Sequence, residues 1–515
     1  MKAYFRKNLV LWLTLLVLTI FFVAAARGME TQDWIITLLR GLSVGSVTFL
    51  VASGFSLIFG LLDVLNLAHG TLFMIGAYVA WTVYVRPDTF VDLLTPILLL
   101  ACGFTLSALW MNLSKRIQFK GRAIRIAPWA GLLLSIFILA YIFPRYPVSV
   151  WDVANYGQSP VTYSFMASQG LLMLPPGVAF DEISLGAAAM GLLLAGMLAA
   201  FSLSLFEKSG QSGSRLRWQN FVGFVVVLGL GLVTLFANDA ITAFLTEMST
   251  TWLFAISLVV AALSGALLGG LMESTLIRPL YSRPIYQLML TLGLSAIGIE
   301  VVRAIWGRPE FVMPKPAIFN GTGEGCPATT FAEVVQNQCS TLMVFDGRVR
   351  VYNEIFIPIV GIVVLIAVWV LLKRSRIGMI IRAGVQDREM VEALGINVRR
   401  VFTFVFALGV GLAALGGALA APSMGLSNVM GESLLLNALI ALAIGGLTSY
   451  PGAALGSLLV GLMQQFIIKY GAIGIPIPFT EIIFKPTPPL VPASTVLLMV
   501  IILLILPNGL LGKKE

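Results

Sequence analysis

Asn66 and His69, in the string LDVLNLAHGTLFMIGAYVA, are the strongest polar pair set within an apolar stretch, and His69 is the single histidine of the chain. Three residues apart, they fall on one face of a helix. An amide and an imidazole there offer hydrogen-bond donors and acceptors. Such groups either touch a polar solute along its path or tie one helix to another and lock the packing. Gly70 follows at once and permits a helix break, where backbone groups meet a ligand or a neighbouring helix. Other chemistry finds few residues. With one histidine, no H-E-x-x-H and no Cys/His cluster, neither a zinc site nor a catalytic residue is expected. No G-x-x-x-x-G-K-[ST] occurs, and the terminal GLLGKKE has the wrong spacing for a phosphate-binding loop. Cys102 lies in an apolar run and reads as inert. Cys326 and Cys339 share one long polar loop, where they form a single bridge or stay as two thiols. Glu300 and Arg303, three apart, and Glu273 read as boundary residues or interfacial ion pairs, not as the deep acid of an ion-coupled carrier.

The elements that hold these residues must be membrane helices. Hydrophobic residues make up 58% of the chain and charged residues 11%, against roughly 25% charged in soluble domains. The fold class is therefore all-α, a polytopic integral membrane protein. The net charge of +9 sits in loops beside apolar runs, so it reads as topology and contact with anionic membrane lipid, not as a nucleic-acid surface. Apolar runs recur from 8–25 to 493–508 and give about fourteen transmembrane helices. With Lys2, Arg6 and Lys7 inside, the basic loops 113–125, 207–217, 278–284 and 373–400 and the Lys513, Lys514 tail fall inside too. Both termini are then cytoplasmic. The run at 433–447 is short enough to be re-entrant. RGMETQDW lacks a small-residue cleavage site, so 1–34 reads as a retained extra N-terminal helix. Loops 144–183 and 307–354 are polar, lie outside and cap the bundle or rest on a partner. Small residues about four apart, Gly41, Gly45, Ser46 and Ser53, recur in texture within GVGLAALGGALA and PGAALGSLLVGL, compatible with internal repeats.

Between two apolar runs lies 373–400, KRSRIGMIIRAGVQDREMVEALGINVRR. Its basic residues put it on the cytoplasmic side. Arg388 to Leu394 forms about two helical turns, with Met390, Val391 and Leu394 on one apolar face, and Gly395 suits the left-handed position that ends a helix. That face needs a cover, either a groove on another protein or the chain's own bundle.

RAGVQDREMVEALGIN, with RSRIG before it, resembles the cytoplasmic coupling segment of ABC importer permeases for branched-chain amino acids. The match runs through Arg382, Ala383, Asp387, Leu394, Gly395, Ile396 and Asn397; Val391 stands where that family usually carries alanine. NLAHG with Met74 to Tyr78, Arg278 with Pro279, Thr291 with Gly293, GGLTSYPGAALG from Gly445 to Gly456 and PNGLLG from Pro507 to Gly512 are further matches, in the family's order. The resemblance covers 35–90 and 251–515, the permease core. It leaves 91–250 as an inserted module of four membrane helices, an even number that preserves the topology after it. What the resemblance implies is a permease-type bundle in the cell membrane (plasma or inner), a transport permease and not an enzyme. Its ATPase-coupling residues would be Arg382, Ala383, Asp387, Met390, Val391, Leu394 and Gly395. The chain would bind no cofactor, ATP being used by separate ABC ATPase subunits. A sibling permease in a hetero-dimer and an extracytoplasmic solute-binding protein would complete the importer. Urea or short-amide permeases carry closely similar motifs and are the alternative; an ion-coupled secondary transporter is the rival class.

Overall fold

The computed structural model describes residues 13–116, 123–148, 183–206, 218–476 and 483–512, except 15, 18, 21–22, 24–27, 282, 308–309, 311 and 387. Along the chain run α1 (Thr31–Leu62), α2 (His69–Val85), α3 (Pro87–Thr105), α4 (Ser107–Arg116), α5 (Ala123–Ile142), α6 (Leu185–Phe206), α7 (Trp218–Phe236), α8 (Asn238–Glu247), α9 (Thr250–Met272) and α10 (Pro284–Trp306). Next come α11 (Phe331–Gln336) and the antiparallel hairpin of β1 (Thr341–Val344) and β2 (Gly347–Arg350), paired from Thr341 with Arg350 to Val344 with Gly347. The chain continues through α12 (Ile357–Arg374), α13 (Arg376–Gln386), α14 (Arg388–Ala393), α15 (Val398–Met424), α16 (Met430–Gly445), α17 (Tyr450–Ile473) and α18 (Leu490–Ile505).

Among the described residues nine helical stretches are long and apolar enough to cross a membrane, or ten if α7 and α8, bent by 77°, form one span. The fourteen runs of the sequence differ from this in two respects. The run at 8–25 lies mostly outside the described residues, and three others are short helices of 17, 16 and 16 residues, α2, α16 and α18. For α2 the reason is that it begins part-way along α1, beside Val51.

The chain divides into two compact units, Met1–Trp81 with Ser249–Glu515, and Thr82–Met248. In the first unit the long helices α1 and α15 cross with backbones touching at Gly54 and Gly409, where a Cβ on either would strike the other's carbonyl oxygen. They run antiparallel, since Gly416 of α15 meets Leu50 while Gly409 meets Ile58. α17 packs along α1, and α9 packs along α15.

This arrangement is an inverted repeat. After α1 the chain doubles back through 63–68, turning at Asp63 with a positive φ of 53°, and α2 starts beside Val51. That is about 16 Å up from the end of α1 at 1.5 Å per residue. After α15 the chain turns through 425–429, and α16 follows with its second residue, Gly431, against Gly70. Each long helix is thus followed by a return and a short helix; α17, which follows α16, lies on α1, and α9, the next first-unit helix after α2, lies on α15. The returns are non-helical yet buried at Val64, Asn66, Ala68 and Leu426, which a membrane permits only where protein or a water-lined path surrounds the backbone.

In the second unit, α3 and α6 approach closely at Gly103 and Gly196. Hydroxyls join α3 to α7, Thr95 donating to Thr234 at 2.8 Å, and α5 to α6, Ser135 donating to the Ala195 carbonyl at 2.8 Å. Arg86 and Asp88 form a buried ion pair at 2.8 Å where α3 begins. The expected external loop 144–183 lies mostly outside the described residues, whereas 307–354 contains α11 and the hairpin. There Thr330 accepts the N–H of Glu333, and Glu333 in turn accepts the N–H of Thr329 at 2.7 Å, a reciprocal cap. Those donors hold the Glu333 carboxyl below its ordinary range.

Candidate functional site

Asn66 and His69 sit where α2 begins, and both side chains are 0% exposed. Asn66 lies in the return, not on the helix, so the two do not share a helical face; they are brought together because the return turns directly into α2. The Asn66 carbonyl accepts the His69 N–H at 3.2 Å, and its Oδ1 accepts the Ala68 N–H at 3.1 Å, a local turn. Its Nδ2 has no partner among the described residues. His69 Nε2 lies 3.1 Å from the Val51 carbonyl, which can only accept, so Nε2 carries the proton and donates. Phe55 packs edge-on to the ring at 5.8 Å, and Nδ1 is buried without a partner among the described residues. Gly70 is in backbone contact with Gly431, the second residue of α16. Thr71 and Ser295 of α10 share a hydrogen bond of 2.6 Å, and Thr291 of α10 accepts the Leu67 N–H at 3.2 Å.

The segment 373–400 holds two helices, α13 and α14. Asp387 between them lies outside the described residues. Gly395 has a positive φ of 80°, and two bonds close the end of α14. Gly395 N–H donates to the Glu392 carbonyl at 3.0 Å and Ile396 N–H to the Val391 carbonyl at 3.3 Å, the paired bonds of a left-handed helix stop. Met390, Val391 and Leu394 do not form one open face. Val391 is 4% exposed, Met390 59% and Leu394 72%. Neighbours on a helix are 100° apart, so Met390 and Val391 splay, while Met390 and Leu394, four apart, stay together outside. Val391 packs with Val398 and Phe402, and Leu62, Tyr281, Ala383 and Ile396 close around them. Arg382 donates to the Leu372 carbonyl at the end of α12. Beside α13, a cavity of about 320 Å³ is walled by Leu57, Leu61, Trp369, Ile381, Arg382 and Tyr450.

A node that sequence reading missed lies between these two regions. The Glu273 side chain is wholly buried. Its carboxylate accepts from Arg278 at 2.7 and 3.1 Å, from the Tyr281 hydroxyl at 2.7 Å and from the Thr403 hydroxyl at 2.7 Å. On an α-helix residues five apart diverge, but Glu273–Ile277 is a π-turn, which returns residue 278 to the side of residue 273. The motif Arg278, Pro279 was visible in the sequence; the π-turn that gives it a partner was not. Tyr281 also packs edge-on to Phe402 at 6.3 Å. Leu62 and Tyr281 border both the Val391 cluster and a second one containing Val64, Ala68 and Leu72. Contiguous packing therefore joins α14 to the return that carries Asn66.

The remaining motif residues fall on chain junctions. Ser449 accepts the Gly452 N–H at 3.2 Å and caps α17. Leu510 and Leu511 N–H groups donate at 2.8 and 2.9 Å to the carbonyls of Ile444 and Gly445 at the end of α16. Glu300 and Arg303 pair at 2.6 Å on α10. Cys326 and Cys339 are bonded sulfur to sulfur, and Cys102 is buried.

The family described as branched-chain amino acid transport system, permease component, matches residues 37–218 and 220–506. The chain is similar to the high-affinity branched-chain amino acid transport system permease proteins LivH of Salmonella typhimurium and of Escherichia coli K12. With each it is 25% identical over 275 residues, 52% of this chain and 78% of the relative. With BraD of Pseudomonas aeruginosa, which bears the same description, it is 30% identical over 171 residues, 33% of this chain and 51% of the relative. No solved structure matches. The family match covers most of the chain, and the apolar helices and chain junctions agree with it: this multi-pass membrane protein belongs to the permease-component family of branched-chain amino acid transport systems.

Proposed function

We propose that the chain is the membrane-spanning permease subunit of an ABC importer that moves branched-chain amino acids. The energy comes from ATP hydrolysed on separate ATPase subunits, and the chain itself has no ATPase site and binds no cofactor. The observation that carries this reading is α14: Val391 anchors it to Phe402 and Tyr281, while Met390 and Leu394 remain outside. An inward anchor with an outward apolar pair suits a helix that takes a push from a docked subunit and passes it on. The route inward leads through Leu62 and Tyr281 to the return before α2, where Asn66, His69 and Gly70 line the path. Arg382, Ala383, Asp387 and Gly395 complete the ATPase-coupling residues of this segment. A solute-binding protein delivers the solute from outside, a sibling permease completes a hetero-dimer, and both termini are cytoplasmic. Residues 91–250 are an added module on the permease core, and 1–34 an additional membrane helix.

The descriptions of the LivH and BraD relatives support the substrate class. Urea or a short amide is the second reading, favoured by one observation: the uncharged donor Asn66 Nδ2 and acceptor His69 Nδ1 suit a neutral amide. Ion coupling is disfavoured at Glu273, whose carboxylate is already engaged by Arg278, Tyr281 and Thr403. The test is purification of the tagged chain followed by uptake into proteoliposomes. Co-purification with an ATPase and a second permease, and ATP-dependent leucine uptake that excess urea leaves unchanged, is the expected result. Uptake driven by a proton or sodium gradient without ATP would overturn it.

A further inference from the structure

We infer that the junction of α2 and α16 is the seat of the solute's carboxylate, the solute being a free α-amino acid. The inference rests on the permease reading above and names the group that its path recognises.

Two short helices begin inside the first unit and meet at their first turns, where Gly70 and Gly431 are in backbone contact. The start of a helix carries N–H groups without intrahelical partners and the equivalent of roughly half a positive charge. Because the repeat is inverted, α2 and α16 leave the junction in opposite directions, so both positive ends lie at one place. An anion there is favoured by both.

The second observation is independent of the helices. Asn66 is wholly buried in the return that runs into α2, and its Oδ1 is occupied by the Ala68 N–H while its Nδ2 has no partner among the described residues. An unsatisfied buried donor is costly unless something accepts from it. A carboxylate oxygen is the acceptor that the neighbouring helix ends also favour. His69 donates through Nε2 to Val51, which leaves Nδ1 as a buried acceptor three residues away. An acceptor suits the α-ammonium that every free amino acid carries beside its carboxylate. Urea could satisfy the amide and the imidazole, but being neutral it gains little from two helix ends.

Glycine is required at both contact positions, because a Cβ on Gly70 or Gly431 would strike the opposite backbone. The two first turns therefore close on each other, and the carboxylate enters as they part.

The test uses the whole importer, with its ATPases, sibling permease and binding protein, in proteoliposomes supplied with radiolabelled leucine. Asn66→Asp replaces the donor with a negative charge, and Asn66→Ala removes the donor alone. The expected result is a fall in maximal leucine uptake of at least tenfold for Asn66→Asp and a smaller fall for Asn66→Ala. ATP hydrolysis stimulated by the binding protein is measured beside uptake and should fall less than uptake does. Equal uptake by parent and Asn66→Asp would overturn the inference while the permease reading stands. A parent that carries urea and not leucine would overturn both. Equal losses of uptake and hydrolysis in both variants would mean a packing lock and overturn the seat. Should neither variant assemble, Ser295→Cys, whose site lies against Thr71, gives a second readout. Leucine should slow its alkylation, and leucinamide and urea should not. Equal protection by all three, or none by leucine, would overturn the seat.

Discussion

Glu273 shows what an apolar unit needs in order to keep a carboxylate inside. Removing such an ion from water costs several kcal/mol, offset only when good geometry and further hydrogen bonds satisfy its lone pairs. Arg278 supplies two bonds, and Tyr281 and Thr403 one each. Arg278 keeps 32% of its side chain exposed, so it can turn to water when its partner is lost, which limits the damage. Glu273→Gln is expected to destabilise the purified protein by about 1–3 kcal/mol, and Tyr281→Phe by about 1 kcal/mol. Because the two share one network, the double variant should cost less than the sum. Thermal unfolding of the single and double variants measures this, and strict additivity would show that the groups act separately. The node was hard to read in advance for a physical reason. Thr403 is 130 residues from Glu273 along the chain, and the π-turn that aligns Arg278 leaves no mark in an apolar pattern scanned at 3.6 residues per turn.

At the scale of the element, α14 separates what local pattern can and cannot reveal. Its end was legible, because Gly395 before an apolar residue is a sufficient stop signal. Which of its apolar residues face outward was not, because six residues give too short a stripe to fix rotation, and Phe402 and Tyr281 decide it from elsewhere in the chain. Two substitutions of the same kind should therefore behave differently. Leu394→Asp, on an open position, should change stability by no more than about 0.5 kcal/mol while uptake falls at least tenfold. Val391→Asp places a carboxylate among Val398 and Phe402 and should cost several kcal/mol, seen as loss of the protein from the membrane. Immunoblots of membrane fractions beside uptake assays distinguish the two, and Leu394→Asp with unchanged uptake would remove the coupling role. Gly395→Ala forces a side chain into a left-handed conformation at a cost of about 1–2 kcal/mol. Partial loss of α14 should follow, measurable as faster proteolysis at 388–397.

For the whole molecule, charge and hydropathy made the membrane class and the helix-rich fold legible, and the Gly and Ala texture of the two halves was compatible with a repeat. The inversion was not legible. It depends on where the chain turns back, and in the sequence 63–68 and 425–429 mark only the joints between apolar runs, with no sign of which way the next helix packs. Orientation still rests on the basic residues Lys373, Arg374, Arg376, Arg382, Arg388, Arg399 and Arg400 clustered around α13 and α14. It is open to direct measurement because Val351–Arg374, a 24-residue apolar helical stretch, separates the hairpin from α13. At 1.5 Å per residue that stretch is about 36 Å long, enough to cross a bilayer with some tilt. The disulfide loop and α14 must then lie on opposite faces. In intact cells a membrane-impermeant maleimide should leave Cys326 and Cys339 unlabelled until an impermeant reductant is added, and then label them from outside. A cysteine introduced at Leu394 should label only in inverted vesicles. Labelling of both sites from one side would mean that this stretch does not cross, and with it would fall the cytoplasmic position of α14 on which ATPase docking depends.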